Sequence, residues 1–180
     1  VNIPDGMPVL SAGAHPGGPK DGACVMEYIS FLAGEKWTDF PSCTNRVLAK
    51  IAQYANDSLR DEHRQELLPL LPRLMGTPDT SHEVNMAIAE EAASMVLPLV
   101  GHTMTLVHNL AEDAQLGIHS AHPHPESIVS SAFVAADVAK WDVVAFLSSL
   151  IDAYDKATGR NETPVVTEDD FRRLAELTNA

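Results

Sequence analysis

Imidazole and thiol side chains gather between His15 and Cys43, together with Asp21, Glu27, Glu35, Trp37 and Asp39. Thiolates and imidazoles are the preferred ligands of zinc, so His15, Cys24 and Cys43, with Asp39, Glu27 or a distant histidine in fourth place, form one candidate metal set. The spacing departs from that of structural zinc sites. Those bring two ligands in one short knuckle, whereas here the cysteines stand 19 positions apart and His15 precedes Cys24 by nine. The competing reading makes both cysteines small packed hydrophobes, a common fate of free cysteine. A second chemistry is nucleophilic: Gly22-Ala23-Cys24 enters an apolar helix, and a cysteine at a helix N-terminus has its thiolate stabilised by the exposed N–H groups. Enzymes built that way, papain-like and transglutaminase-like, carry the activating histidine on sheet strands. This sequence offers no such strands, leaving His102 or His108 as the base.

Other clusters read more plainly as structure or surface. His119, His122 and His124 lie in a proline-containing loop and suit adventitious metal binding. His63 and His82 stand near helix starts as solvated residues, and His102, in an apolar stretch, reads as a hydrogen-bonded core histidine. Glu90-Glu91 lacks the Glu-x-x-His partners of carboxylate-bridged metal enzymes and forms a solvated helix face. There is no phosphate-binding glycine loop, no Gly-x-Ser-x-Gly elbow and no His-Glu-x-x-His.

The elements that would hold these residues are helical. Residues 1–23 are dense in glycine and proline and form an irregular arm. Cys24–Ala33 is apolar on nearly every side and stops at Gly34, with Asp21 and Gly22 at its start. Val47, Leu48, Ile51, Tyr54 and Ala55 repeat at helical spacing. Asp61 is placed to cap a leucine-rich segment that Pro69 and Pro72 break before Gly76. Thr80-Ser81-His82-Glu83 has capping-box spacing ahead of a helix that runs through Leu97 and is interrupted at Pro98 or Gly101. Another covers Thr103–Leu116, and Gly117–Pro125 is a loop. One long amphipathic helix is expected from Ser127 to Gly159, crossed by Lys140. Thr167–Asp170 opens a last helix carrying Phe171, Leu174 and Leu177. The expectation is an all-α fold of about six to eight helices in a single domain, 1–180. Its buried core includes Val25, Ile29, Leu32, Val47, Leu48, Ile51, Leu67, Leu71, Ile88, Leu97, Phe133, Val143, Leu147 and Leu150.

The run Asp21-Gly22-Ala23-Cys24-Val25-Met26-Glu27, followed by Leu32-Ala33-Gly34-Glu35, Thr38-Asp39, Pro41 and Cys43, resembles an uncharacterised protein family of actinobacteria and their phages. The similarity is specific over about residues 13–76, includes Asn56-Asp57, and extends weakly to Trp141-Asp142. It implies a phage or actinobacterial setting and no established activity.

Charge narrows the partners. With 12 Lys+Arg against 25 Asp+Glu, the 180-residue chain has a formal net charge of −13 and repels phosphate backbones and anionic membranes. The basic residues are scattered apart from the pair Arg172-Arg173, so generic nucleic-acid binding is not expected. The most apolar stretch, Met95–Val107, contains Pro98, Gly101 and His102 and is too short to span a bilayer. The first ten residues show neither a basic start nor an apolar core, and two cysteines fit a reducing cytoplasm. The function this favours is a small acidic interaction or structural module that binds another protein, zinc-stabilised if the His15–Cys43 region closes on a metal. The alternatives are a hydrolase or transferase using Cys24 or a metal, and an inhibitor that mimics DNA.

Overall fold

A computed structural model describes residues 9–179. The fold is all-helical. Among the described residues there is no strand, only isolated bridges that pair Leu10 with Ala23 and Thr44 with Thr77. No helix among these residues is long and apolar enough to cross a membrane. Contacts divide the chain into two compact units: one takes in the described residues up to Pro78 and again from Glu162, the other is Asp79–Asn161.

The first unit begins in the arm, whose residues 1–8 lie outside the described part. A single 3-10 turn, Pro19–Asp21, interrupts it before helix α1, Val25–Leu32. The N-cap of α1 is Cys24 rather than Asp21 or Gly22, because Glu27 reaches back to accept the Cys24 amide at 2.8 Å and closes the first turn from inside. Its end is as the glycine foretells. Gly34 has φ +72°, and the amides of Gly34 and Glu35 donate to the carbonyls of Phe31 and Ser30, the paired bonds that finish a helix through a left-handed residue. Helix α2, Arg46–Ser58, is capped by Asn45, whose side chain accepts from the amides of Val47 and Leu48.

The prolines break the next segment into α3, Asp61–Arg64, a 3-10 stretch Gln65–Leu70, and α4, Leu71–Met75. Asp61 is not its cap. It lies inside the first turn and pairs with buried Arg64, which also donates to the carbonyls of Asn56 and Leu59. Helices α2 and α4 pack on α1, and α9, Glu168–Asn179, rests on α1 and on the turn Pro19–Asp21, burying Leu174. Thr167 and Asp170 cap α9 reciprocally.

The second unit contains α5, His82–Val96, α6, Thr105–Ile118, α7, Pro125–Val138, and α8, Val143–Thr158. Helix α5 packs on the other three, and α6 lies along α7. The interfaces are lined by buried alanines, among them Ala89, Ala92, Ala111, Ala114, Ala132 and Ala136, which let backbones approach closely. At Gly117 a Cβ would meet Ile128 Cγ1 at 2.6 Å, so the approach of α6 to α7 requires glycine there. Phe133 and Phe146 meet edge to face at 6.0 Å.

Several sequence expectations need correction. The long helix from Ser127 to Gly159 is two, because the chain turns at Lys140 with φ +63°; the amides of Lys140 and Trp141 close α7 on Asp137 and Ala136, and Asp142 caps α8. The loop after α6 is shorter than Gly117–Pro125, since α6 continues to Ile118 and Pro125 opens α7. Ser81, not Thr80, caps α5. Leu97 is 55% exposed and Leu32 only half-buried, while the other twelve expected core residues are buried. His102 is exposed, its Nδ1 accepting the Met104 amide.

Candidate functional site

Glycine and proline leave residues 9–23 without a continuous hydrophobic face; Leu10 and Ala23 are buried at its two ends, and hydrogen bonds fix the stretch between them. Asn56 of α2 supplies two of them: its amide nitrogen donates to the Ser11 carbonyl at 2.8 Å, and its oxygen accepts the Val25 amide at 3.3 Å. Next to it, Asp57 accepts the Gly13 amide at 2.8 Å. The Asn56-Asp57 pair therefore ties the arm to the start of α1.

Gln65 bonds to the amide and carbonyl of Leu10, and Glu27 holds the stretch around His15. The Glu27 side chain is 2% exposed and both oxygens are used. Oε1 accepts the His15 amide at 2.5 Å, while Oε2 accepts Cys24 N–H at 2.8 Å and lies 2.9 Å from His15 Nδ1. His15 Nε2 in turn lies 3.1 Å from Ser11 Oγ, and Trp37 Nε1 donates to the His15 carbonyl at 2.8 Å. An ionised carboxylate only accepts, so the bond to Glu27 places a proton on Nδ1 and turns Nε2 toward the Ser11 hydroxyl. Ser11 Oγ also accepts the Ala23 amide at 3.0 Å. Gly22, at φ +111°, completes the arrangement: a Cβ there would stand 2.3 Å from Ser11 Oγ and 3.1 Å from the His15 ring.

The candidate zinc ligands do not gather as a set. Among the described residues no three His, Cys, Asp or Glu side chains are arranged to hold a metal ion. The reason is local. His15 and Cys24 both lean on Glu27, which consumes one imidazole nitrogen and the whole carboxylate, whereas Cys43 belongs to a different carboxylate. Glu35 accepts the amides of Ser42 and Cys43 and the Ser42 hydroxyl; burial pushes its pKa up, but these bonds prevail and hold it below the ordinary carboxylate range. Cys24 and Asp39 do face one small cavity of about 140 Å3, shared with Gly13, Ala14, Gln53 and Asp57. Both cysteines are free.

Cys24 is also a poor nucleophile. Burial, reinforced by the charge of Glu27, outweighs its bonds to backbone amides and pushes the thiol up to about 12, so the thiolate that attacks is scarce at neutral pH. Burial raises Cys43 as well. The bases suggested for Cys24 are engaged elsewhere, His102 with Met104 and His108 Nδ1 with the Gly101 amide at 2.8 Å. His119, His122 and His124 are exposed.

Sequence reasoning missed Ser11 entirely. A serine in a glycine-rich arm carries no signal by itself, and its spacing of four from His15 acquires meaning only once Glu27 has turned the imidazole. No family model, no curated protein and no solved structure matches this chain.

Proposed function

We propose that this chain is a protein-interaction module whose contact face is the connection between α5 and α6. The observation that carries the reading is a concentration of exposed apolar side chains, Leu97, Val100, Met104 and Leu106, within residues 97–106. Single exposed apolar residues are ordinary on any protein, but a run of them in one short connection leaves apolar surface that a partner would cover. Charge adds the partner's chemistry. No lysine or arginine occurs between Arg73 and Lys140, while Glu83, Glu90, Glu91, Glu112, Asp113 and Glu126 do. A partner with an apolar groove rimmed by basic residues suits this surface; duplex DNA, lacking such a groove and repelled by the charge, does not.

The test is affinity capture with the full chain and with the double variant Leu97→Ser/Leu106→Ser, followed by calorimetry on any purified partner. The reading expects a protein retained by the parent chain and lost by the folded variant, with binding that weakens as salt rises and shows a negative heat-capacity change. Equal retention by both would sink it.

A further inference from the structure

We propose that Ser11 is a nucleophile toward acyl esters, with His15 as its general base and Glu27 as the residue that positions His15. The geometry is that of an activated serine: hydroxyl to imidazole at 3.1 Å, imidazole to carboxylate at 2.9 Å, on opposite nitrogens of one ring. The base is held from three sides, through its amide and Nδ1 by Glu27 and through its carbonyl by Trp37, so little reorientation is needed when the proton moves. The Ser11 hydroxyl has one other acceptor, the Ala23 carbonyl at 3.4 Å, which is the longer of its two choices. Ser11 is half-buried. Its neighbours Ala12, Gly13 and Ala14 are exposed and carry at most a methyl group, which leaves room for an ester carbonyl to approach.

In the first step Ser11 Oγ forms a bond to the carbonyl carbon while its proton passes to His15 Nε2. The tetrahedral adduct then expels the alcohol, which leaves with the proton returned by His15, and the acyl group stays on Ser11. Water repeats the sequence, giving its proton to His15 and releasing the acid as Ser11 recovers its hydrogen. Glu27 remains ionised throughout and stabilises the imidazolium that forms twice.

The experiment uses the full chain with a fluorophosphonate and with p-nitrophenyl acetate. The expected result is one fluorophosphonate adduct per chain, located by mass spectrometry on Ser11, and a matching burst of nitrophenol. Ser11→Ala should abolish both, and His15→Gln should slow labelling by about 100-fold or more. Glu27→Gln should change the pH profile of labelling, since the imidazolium formed in the reaction loses its buried counter-ion; a purely structural role would leave that profile unchanged. Circular dichroism checks each variant. Absence of an adduct on Ser11 in the folded parent chain, or labelling that Ser11→Ala leaves intact, overturns the proposal whatever the other variants do.

Discussion

Residues 9–45 and the unit Asp79–Asn161 reach order by opposite means. The first stretch has few apolar side chains of its own before α1, Leu10, Ala23 and Cys24 being the buried ones, and is fixed mainly by directional bonds to Glu27, Asn56, Asp57 and Glu35. The second has helices whose alanines and larger apolar residues interlock, with polar groups outside. Apolar packing is graded, since losing one contact costs a fraction of the whole. A shared carboxylate is closer to all-or-none, because removing it strands several donors together.

The contrast is easiest to break at Glu27. Replacing it with alanine leaves the His15 amide, His15 Nδ1 and the Cys24 amide without their acceptor, and should cost about 3–5 kcal/mol in denaturant unfolding. Glu90→Ala, on an exposed face of α5, should change stability by no more than about 0.5 kcal/mol. Equal effects would mean that the polar network contributes nothing special.

Within the helical unit the same comparison runs through burial. Leu147 is fully buried in α8, and truncating it to alanine should cost about 2–5 kcal/mol, whereas Leu97→Ala should stay within about 0.5 kcal/mol. Thermal melts of the two variants check this.

The Cys24 thiol reports on the first region alone. Its ordinary value of 9.0 is raised to about 12 in the fold, so the native state keeps a proton that the unfolded chain gives up. That stabilisation is complete below about pH 9 and is lost as pH rises toward 12. Burial raises the Tyr28 phenol too and adds loss of the same sign. Cys24→Ala should therefore flatten part of the alkaline fall in stability. In native protein at about pH 8, a disulfide reagent should modify half-buried Cys43 well before Cys24.

The smallest effect sharpens the comparison between two helix ends. Both α1 and α7 finish through a left-handed residue, glycine at position 34 and lysine at position 140. Lys140→Gly should relieve the strain at the second and stabilise by about 0.5–1 kcal/mol, offset in part by the freer unfolded chain. Gly34→Lys should lose at least as much.

Those two ends also show what could be read in advance. Gly34 marks its turn by type, whereas Lys140 looks like any surface residue in an amphipathic run, so the break between α7 and α8 was invisible to periodicity. The helical fold class was legible because apolar spacing and caps act locally: Ser81 and Asn45 do their work within three residues. The arrangement of Ser11, His15 and Glu27 was not, since it depends on a loop that brings position 23 back alongside positions 10 and 11, which no local preference encodes. The candidate ligands are dispersed for the same reason. His15 and Cys24 do come near one group, but that group is Glu27, and Cys43 follows its own loop.

The lysine at the α7–α8 turn also governs how the chain can be cut. A trypsin-like protease requires lysine or arginine, and between Arg73 and Lys140 there is neither, so α5, α6 and the whole of α7 survive digestion as one covalent piece even when unfolded. Lys140 is exposed, in a four-residue turn, and held in a backbone conformation other than helix, which makes it an accessible scissile position between α7 and α8. A nick there would divide the helices of this unit while leaving their packed alanines in place, and the two pieces should stay associated until denaturant separates them.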